Sequence, residues 1–333
     1  VKTRRPARLP NPRLPLPGAR RAVQAYASAP SAPAGGTMEF RVSVPSGAAC
    51  SVAVRRVGTA VPTPAVRFVG EDQDGAEVTW VRVVAAGGGR PVSGDGGYGP
   101  TDGGGVTDSR QDIGAADGGS GGVRPAGRDP LGGRGDAPAD GIGIPLTWCD
   151  WEPSLLLDIP ESWPPGLYVA RFNVEAPLLS VVALRGRSAY VPFVVRGPLA
   201  AGFPTLVILP FAAYTAANPW PVSDVRRARA LSLDRPFAGN GLPSGFAADA
   251  AFVEPLTATD FATSLDVHAG LIDPAAYRKV LFRADLWSPQ MRAAMARASL
   301  SGTDVGGLEG VPPPSVDFAP GPDGRDNRIL LRY

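Results

Sequence analysis

Hydrophobic and polar positions follow one grammar in the first half of the chain and another in the second. From Met38 they alternate, with Phe40, Val42 and Val44 on one side and Arg41 and Ser43 on the other, the pattern of a half-buried antiparallel strand. Short β-rich runs follow at Ser51–Val54, Val66–Val69, Val78–Val84, Ser154–Ile159, Leu167–Phe172 and Tyr190–Val195, separated by Pro/Gly turns such as Pro164-Pro-Gly166. Short strands so spaced predict a β-sandwich over residues 38–196. Past Arg196-Gly-Pro-Leu the alternation stops. Thr205–Leu209 and Lys279–Phe282 are unbroken aliphatic runs, as expected of strands buried on both faces of a parallel sheet. Ser288 then caps a predicted helix with Pro289 at its first position and Met291, Ala294, Met295 and Ala298 on one face. Strand, loop and helix in that order predict a three-layer α/β domain over 202–333, so the expected fold class is an all-β half followed by an α/β half.

Composition interrupts this plan twice. The 333 residues include 42 glycines and 37 prolines, about twice the usual combined share. About half of the glycines fall within residues 87–143, where aliphatic side chains are too few to offset the ordering entropy, so this stretch is expected to be a disordered insertion into the sandwich. Residues 1–37 read as a disordered basic, proline-rich arm, with seven cationic side chains from Lys2 to Arg21 ahead of the first acid, Glu39. The arm has no apolar core of the kind an export signal needs, which favours a cytoplasmic protein.

Charge and chemistry narrow the function further. A net charge of +2, nearly all of its cations arginines, and a basic stretch at residues 1–22 without stacking aromatics give no reason to expect nucleic-acid binding. No apolar run reaches the roughly 18 residues that would span a membrane. The single histidine, His268, excludes a His-rich zinc site and leaves one conceivable serine triad. Ser244 misses the nucleophile-elbow spacing, and Gly239-Asn-Gly241 follows no convincing strand, so it makes a poor dinucleotide fingerprint. Cys50 and Cys149 are expected to remain buried free thiols. In open α/β sheets ligands bind where strands end, which singles out Tyr214 and Asn218 after the first aliphatic strand and Arg283 and Asp285 after the second, with His268 on the same rim.

The phrases Ser51–Gly58, Asp158–Tyr168, Tyr190–Arg196, Tyr214–Asn218, Ala228–Phe237, Asp266-Val-His268 and Leu286–Arg292 together resemble the large (beta) subunit of N,N-dimethylformamidase and its relatives. The resemblance implies a β-sandwich followed by a glutamine-amidotransferase-like α/β domain. It also implies hydrolysis of a small, formamide-type amide at a mononuclear iron held by tyrosine and carboxylate oxygens, with a small partner subunit or self-association. On this chain the iron ligands would be Tyr214 and Asp285, with His268, Arg283 and Asn218 as the catalytic set. The family's loop carries a tyrosine directly before the asparagine, where this chain has Ala217. Its His-Asp-Glu-Tyr-Trp phrase stands here as Arg283–Trp287. Two readings follow: an amidohydrolase with a rearranged metal site, or an inactive relative that keeps the scaffold for binding or assembly, with Arg283 paired to Asp285.

Overall fold

The computed structural model describes residues 22–45, 47–58, 66–69, 77–82, 143–149, 151–175, 187–198, 201–220, 230–306, 316–319 and 328–331. The first half consists of strands: β1 (Gln24–Ala27), β2 (Ser31–Pro33), β3 (Thr37–Ser43), β4 (Ala49–Arg56), β5 (Val66–Val69), β6 (Glu77–Arg82), β7 (Gly143–Trp148), β8 (Leu155–Asp158), β9 (Gly166–Glu175) and β10 (Ser188–Arg196). They form a three-stranded sheet, β1-β3-β8, a five-stranded sheet, β2-β10-β9-β4-β5, and the pair β6-β7. One hydrophobic core joins the two larger sheets. Phe40 from the first packs edge-on against Phe172 and Phe193 from the second, with ring centroids 5.4 and 5.7 Å apart. Phe40, Val42 and Val44 are all buried, as their alternation requires, but Ser43 on the opposite side is buried too.

The basic arm is shorter than the composition suggests. Gln24–Ala27 pairs antiparallel with β3, and Ser31–Pro33 pairs parallel with β10, so part of the stretch expected to be disordered belongs to the sheets. Val23 and Ala25 supply the core contacts, and β2 lies on a sheet edge, where Pro33 is tolerated because a missing N–H there breaks no ladder. The remainder of the arm and the glycine-rich insertion expected at 87–143 lie outside the described residues, apart from Gly143 at the start of β7.

The second half comprises β11 (Thr205–Leu209), α1 (Phe211–Ala216), β12 (Ala230–Ser232), α2 (Phe246–Val253), β13 (Thr259–Thr263), α3 (Ser264–His268), β14 (Lys279–Phe282), α4 (Pro289–Leu300), β15 (Asp304–Val305), β16 (Val316–Ala319) and β17 (Arg328–Leu331). Strands β13-β11-β14-β15 form an all-parallel sheet, and β12-β17-β16 a separate antiparallel one. Leu206 to Leu209 are buried on both faces of β11. Leu206 and Ile208 pack with Val267 of α3 and with Met291 and Met295 of α4, the face predicted for that helix, whose Ser288 cap accepts from the Met291 amide. Val207 and Leu209 pack with Phe211, Tyr214 and Val253, and also with Leu167 and Val194 of the first half. Strands β9 and β10 therefore help to cover the second face of the parallel sheet.

Backbone geometry reinforces this junction. Gly241 has a φ of +92°, and a Cβ there would stand 2.2 Å from the Tyr190 carbonyl oxygen on β10. Adjacent to it, the Tyr190 amide donates to the Asn240 carbonyl. Gly241→Ala would add left-handed strain to a backbone clash, and a loss of about 2 kcal/mol is expected by urea denaturation. Gly239→Ala, also at positive φ but with open space around it, should cost about half as much.

Candidate functional site

Because β11 lies between β13 and β14 and all three run parallel, their carboxyl ends deliver α1, α3 and the 283–288 segment to one edge of the sheet. Three of the predicted residues meet there. The Tyr214 hydroxyl donates to Asp249 Oδ2 at 2.5 Å, and Arg283 Nε donates to Asp249 Oδ1 at 2.6 Å, with its guanidinium 5.3 Å above the Phe252 ring. Asp285 lies alongside, its Oδ1 accepting from the backbone amides of Ala213 (2.7 Å) and Leu286 (2.8 Å). The ion pair expected between Arg283 and Asp285 is therefore corrected to Arg283 with Asp249. Helix α2 carries Asp249 to the strand edge with both oxygens presented, whereas Asp285 turns its first oxygen back onto the backbone.

The electrostatics follow from burial. Tyr214 is buried, and desolvation pushes its phenol well above the ordinary range. The hydrogen bond to Asp249 and the charges of Asp249 and Asp285 add to the rise, while Arg283 opposes it. The Asp285 carboxyl is pushed up to about 7 by desolvation. Ser264 and the two backbone amides hold it down, and Asp249 adds to the rise. Asp285 Oδ2 and Ser264 Oγ are both buried with no hydrogen-bond partner, so the hydroxyl acts on the carboxylate from nearby without bonding it.

The other two predicted residues serve different contacts. Asn218 is buried; its Nδ2 donates to the Pro236 carbonyl and its Oδ1 accepts from the Trp220 and Ala238 amides, bracing its own loop against the segment after β12. His268, at the far end of α3, places Nδ1 2.9 Å from Ser288 Oγ and packs edge-on against Phe318, 4.6 Å between centroids. The structure thus draws Tyr214, Arg283 and Asp285 together, and the described hydrogen bonds take Asn218 and His268 elsewhere. Asp249 and Ser264 were missed. Nothing marks Asp249 in its alanine-rich segment, but Thr263-x-x-Asp266 is a capping-box spacing that could have located α3, and Ser264 with it.

The residues present do not fit the iron site that the resemblance implies. A ferric ion needs several open anionic oxygens. Tyr214 gives its proton to Asp249, in surroundings that disfavour the phenolate, and Asp249 is held by a guanidinium. One Asp285 oxygen is spent on two amides, leaving Oδ2 as the single open carboxylate oxygen of the group. Among the described residues, no three His, Cys, Asp or Glu side chains cluster to hold a metal.

The two cysteines stay free thiols. Burial pushes Cys50 up to about 11 and raises Cys149 as well, so neither is a ready nucleophile at neutral pH. No helix among the described residues is long and apolar enough to cross a membrane.

Two comparisons with known proteins bear on the chain. Residues 118–310, more than half of it, match the family model described as N,N-dimethylformamidase beta subunit-like, C-terminal. No curated protein matches it.

Proposed function

The chain belongs to the N,N-dimethylformamidase beta subunit-like family, and from that premise we propose that it serves as a non-hydrolytic binding or structural scaffold, assembled with a partner subunit or with a second copy of itself. One observation carries the reading: of the groups that would ligate iron, Tyr214 is bonded to Asp249, which the Arg283 guanidinium also holds, and Asp285 commits one oxygen to two backbone amides. Removing even one ligand from a small metal site usually abolishes tight binding. The architecture belongs to the same proposal: two facing sheets as a β-sandwich, followed by a three-layer α/β domain of the glutamine-amidotransferase-like kind. The parallel β13-β11-β14-β15 sheet with α3 and α4 on one face supports it. A cytoplasmic setting is proposed with it, supported by the two free cysteines.

The hydrolase reading is favoured by one feature, the buried unpartnered Asp285 Oδ2 beside Ser264. In that reading Asp285 and Tyr214 would hold iron, whose chemistry is to acidify a water and polarise an amide carbonyl. The experiment is metal analysis of the full chain from iron-replete cells, together with an assay of formate and amine release from N,N-dimethylformamide. The expected result is far less than one iron per chain and no release above the blank. Stoichiometric iron with hydrolysis that Asp285→Ala abolishes would overturn the scaffold reading.

A further inference from the structure

A second site lies where the two halves of the protein meet, on the side of α1 that carries Phe211 and Thr215. A cavity of about 30 Å³ opens there, lined by Tyr26 and Ala27 from β1, by Val191 and Pro192 from β10, and by Phe211, Thr215, Leu233, Arg235 and Phe237 from the second half. Its lining is mostly apolar, and Arg235 is its one charged side chain. Arg235 is 3% exposed and contributes to the cavity wall. Its guanidinium donates through Nε to the Ser232 carbonyl (2.9 Å), through Nη1 to those of Asn218 (3.3 Å) and Trp220 (2.7 Å), and through Nη2 to that of Thr215 (2.8 Å).

A guanidinium has five N–H donors, so these four bonds leave one on Nη2. Among the described residues, no carboxylate lies within ion-pair distance of Arg235, and carbonyl dipoles offset only part of the cost of burying a cation. Desolvation accordingly pulls Arg235 down to about 10, with the Cys149 thiol as the one group opposing the fall. A buried cation with no carboxylate partner among the described residues and one free N–H, beside an apolar cavity of this size, favours a ligand with one negative charge and almost no hydrocarbon.

We infer that this interdomain cavity binds a one-carbon monocarboxylate, of formate size, with a carboxylate oxygen on Arg235 and its carbon end against Phe211, Phe237 and Val191. The volume sets the upper size limit. A water needs roughly 10–15 Å³ of such space, so about 30 Å³ accommodates two or three heavy atoms. Because the cavity wall is drawn from both halves, occupancy should also stabilise their junction. The inference is independent of whether the strand-edge group hydrolyses anything.

The test uses the full chain and sodium formate, acetate and chloride at matched ionic strength. Formate should give a saturable calorimetric signal and raise Tm by on the order of 2–4 °C at saturation, whereas the larger acetate and benzoate, and chloride, should not. Ala27→Leu, which fills the cavity without touching Arg235, should abolish the response. Should that variant fail to fold, nuclear Overhauser contacts between the formate proton and the ring protons of Phe211, Phe237 or Tyr26 locate the site in the native chain. An equal response to chloride, no saturable signal, a response that survives in folded Ala27→Leu, or ligand contacts to other rings would each overturn the inference.

Discussion

Replacing Asp266 with alanine should cost about 3–5 kcal/mol, the range for removing one partner from a buried charged network. A single carboxylate here joins three parts of the chain. Oδ2 accepts from the Thr263 amide and hydroxyl, both at 2.7 Å, closing the capping box that starts α3. Oδ1 accepts from Ser31 Oγ of β2 at 2.5 Å and lies 3.5 Å from Arg196 Nε at the end of β10. Alanine would leave the Arg196 charge and the Thr263 amide without that carboxylate in a region closed to water, and would cut a polar tie between the two halves. Urea denaturation followed by tryptophan fluorescence would measure the loss, and a split into two transitions would show the halves uncoupling. Asp273→Ala is the control, because that side chain caps only the exposed turn at Pro274–Ala276 and should cost no more than about 1 kcal/mol. A loss at Asp266 as small as the control's would refute the linking role.

Asp285→Asn should stabilise the protein above neutral pH and flatten its dependence on pH. The folded carboxyl titrates at about 7, against an ordinary value of 3.8. Between those values the folded state keeps a proton that the unfolded state has released, so stability falls as pH rises from about 4 and the loss is complete above about 7. Three units correspond to a few kcal/mol at most, and about 3 kcal/mol is the expected gain for Asn over Asp at pH 8, shrinking towards zero at pH 4. Asparagine keeps an oxygen for the Ala213 and Leu286 amides and presents an NH2 group where Oδ2 faces Ser264, so it supplies a neutral group without loss of shape. Thermal melts of both proteins from pH 4 to 9 would decide. Parallel curves would mean that Asp285 is ionised throughout, as a metal ligand would be.

The Asp285 result bears on how the site descends from its family. Ala217 supplies no ligand atom, and the Arg283 guanidinium brings a positive charge to the edge where a cation would have to sit. A lone substitution at either place would leave a damaged site. Tyr214 and Arg283 instead share the Asp249 carboxylate, a neutralised array that ties α1, α2 and the segment after β14 together.

What the chain reveals unaided is whatever depends on periodicity and local chemistry. The strand at Thr205–Leu209 is legible because a strand buried on both faces carries an unbroken apolar run; Lys279–Phe282 forms the expected strand but buries only Val280, with Lys279 exposed and Leu281 and Phe282 half-buried. Helix α4 is legible because a serine cap, a proline at the first position and an apolar stripe are local signals, and the Phe40/Val42/Val44 face because a sheet surface alternates. Of the five residues predicted at strand ends, Tyr214, Arg283 and Asp285 do meet, since parallel strands deliver their loops to one edge. Partner choice was beyond such reasoning. That Arg283 takes Asp249 and not Asp285, that Asn218 braces a loop, and that His268 turns to Ser288 depends on which elements pack together, and no spacing along the chain encodes those distances. The same holds for β1 and β2, whose prolines and basic neighbours hide strands that exist because β3 and β10 offer them edges, and for Arg235, an unremarkable arginine in sequence that only the docking of two halves turns into a buried charge. Local rules fix the elements with strong periodicity or caps, and the tertiary fold decides the edge strands and which polar groups are left facing one another once water is gone.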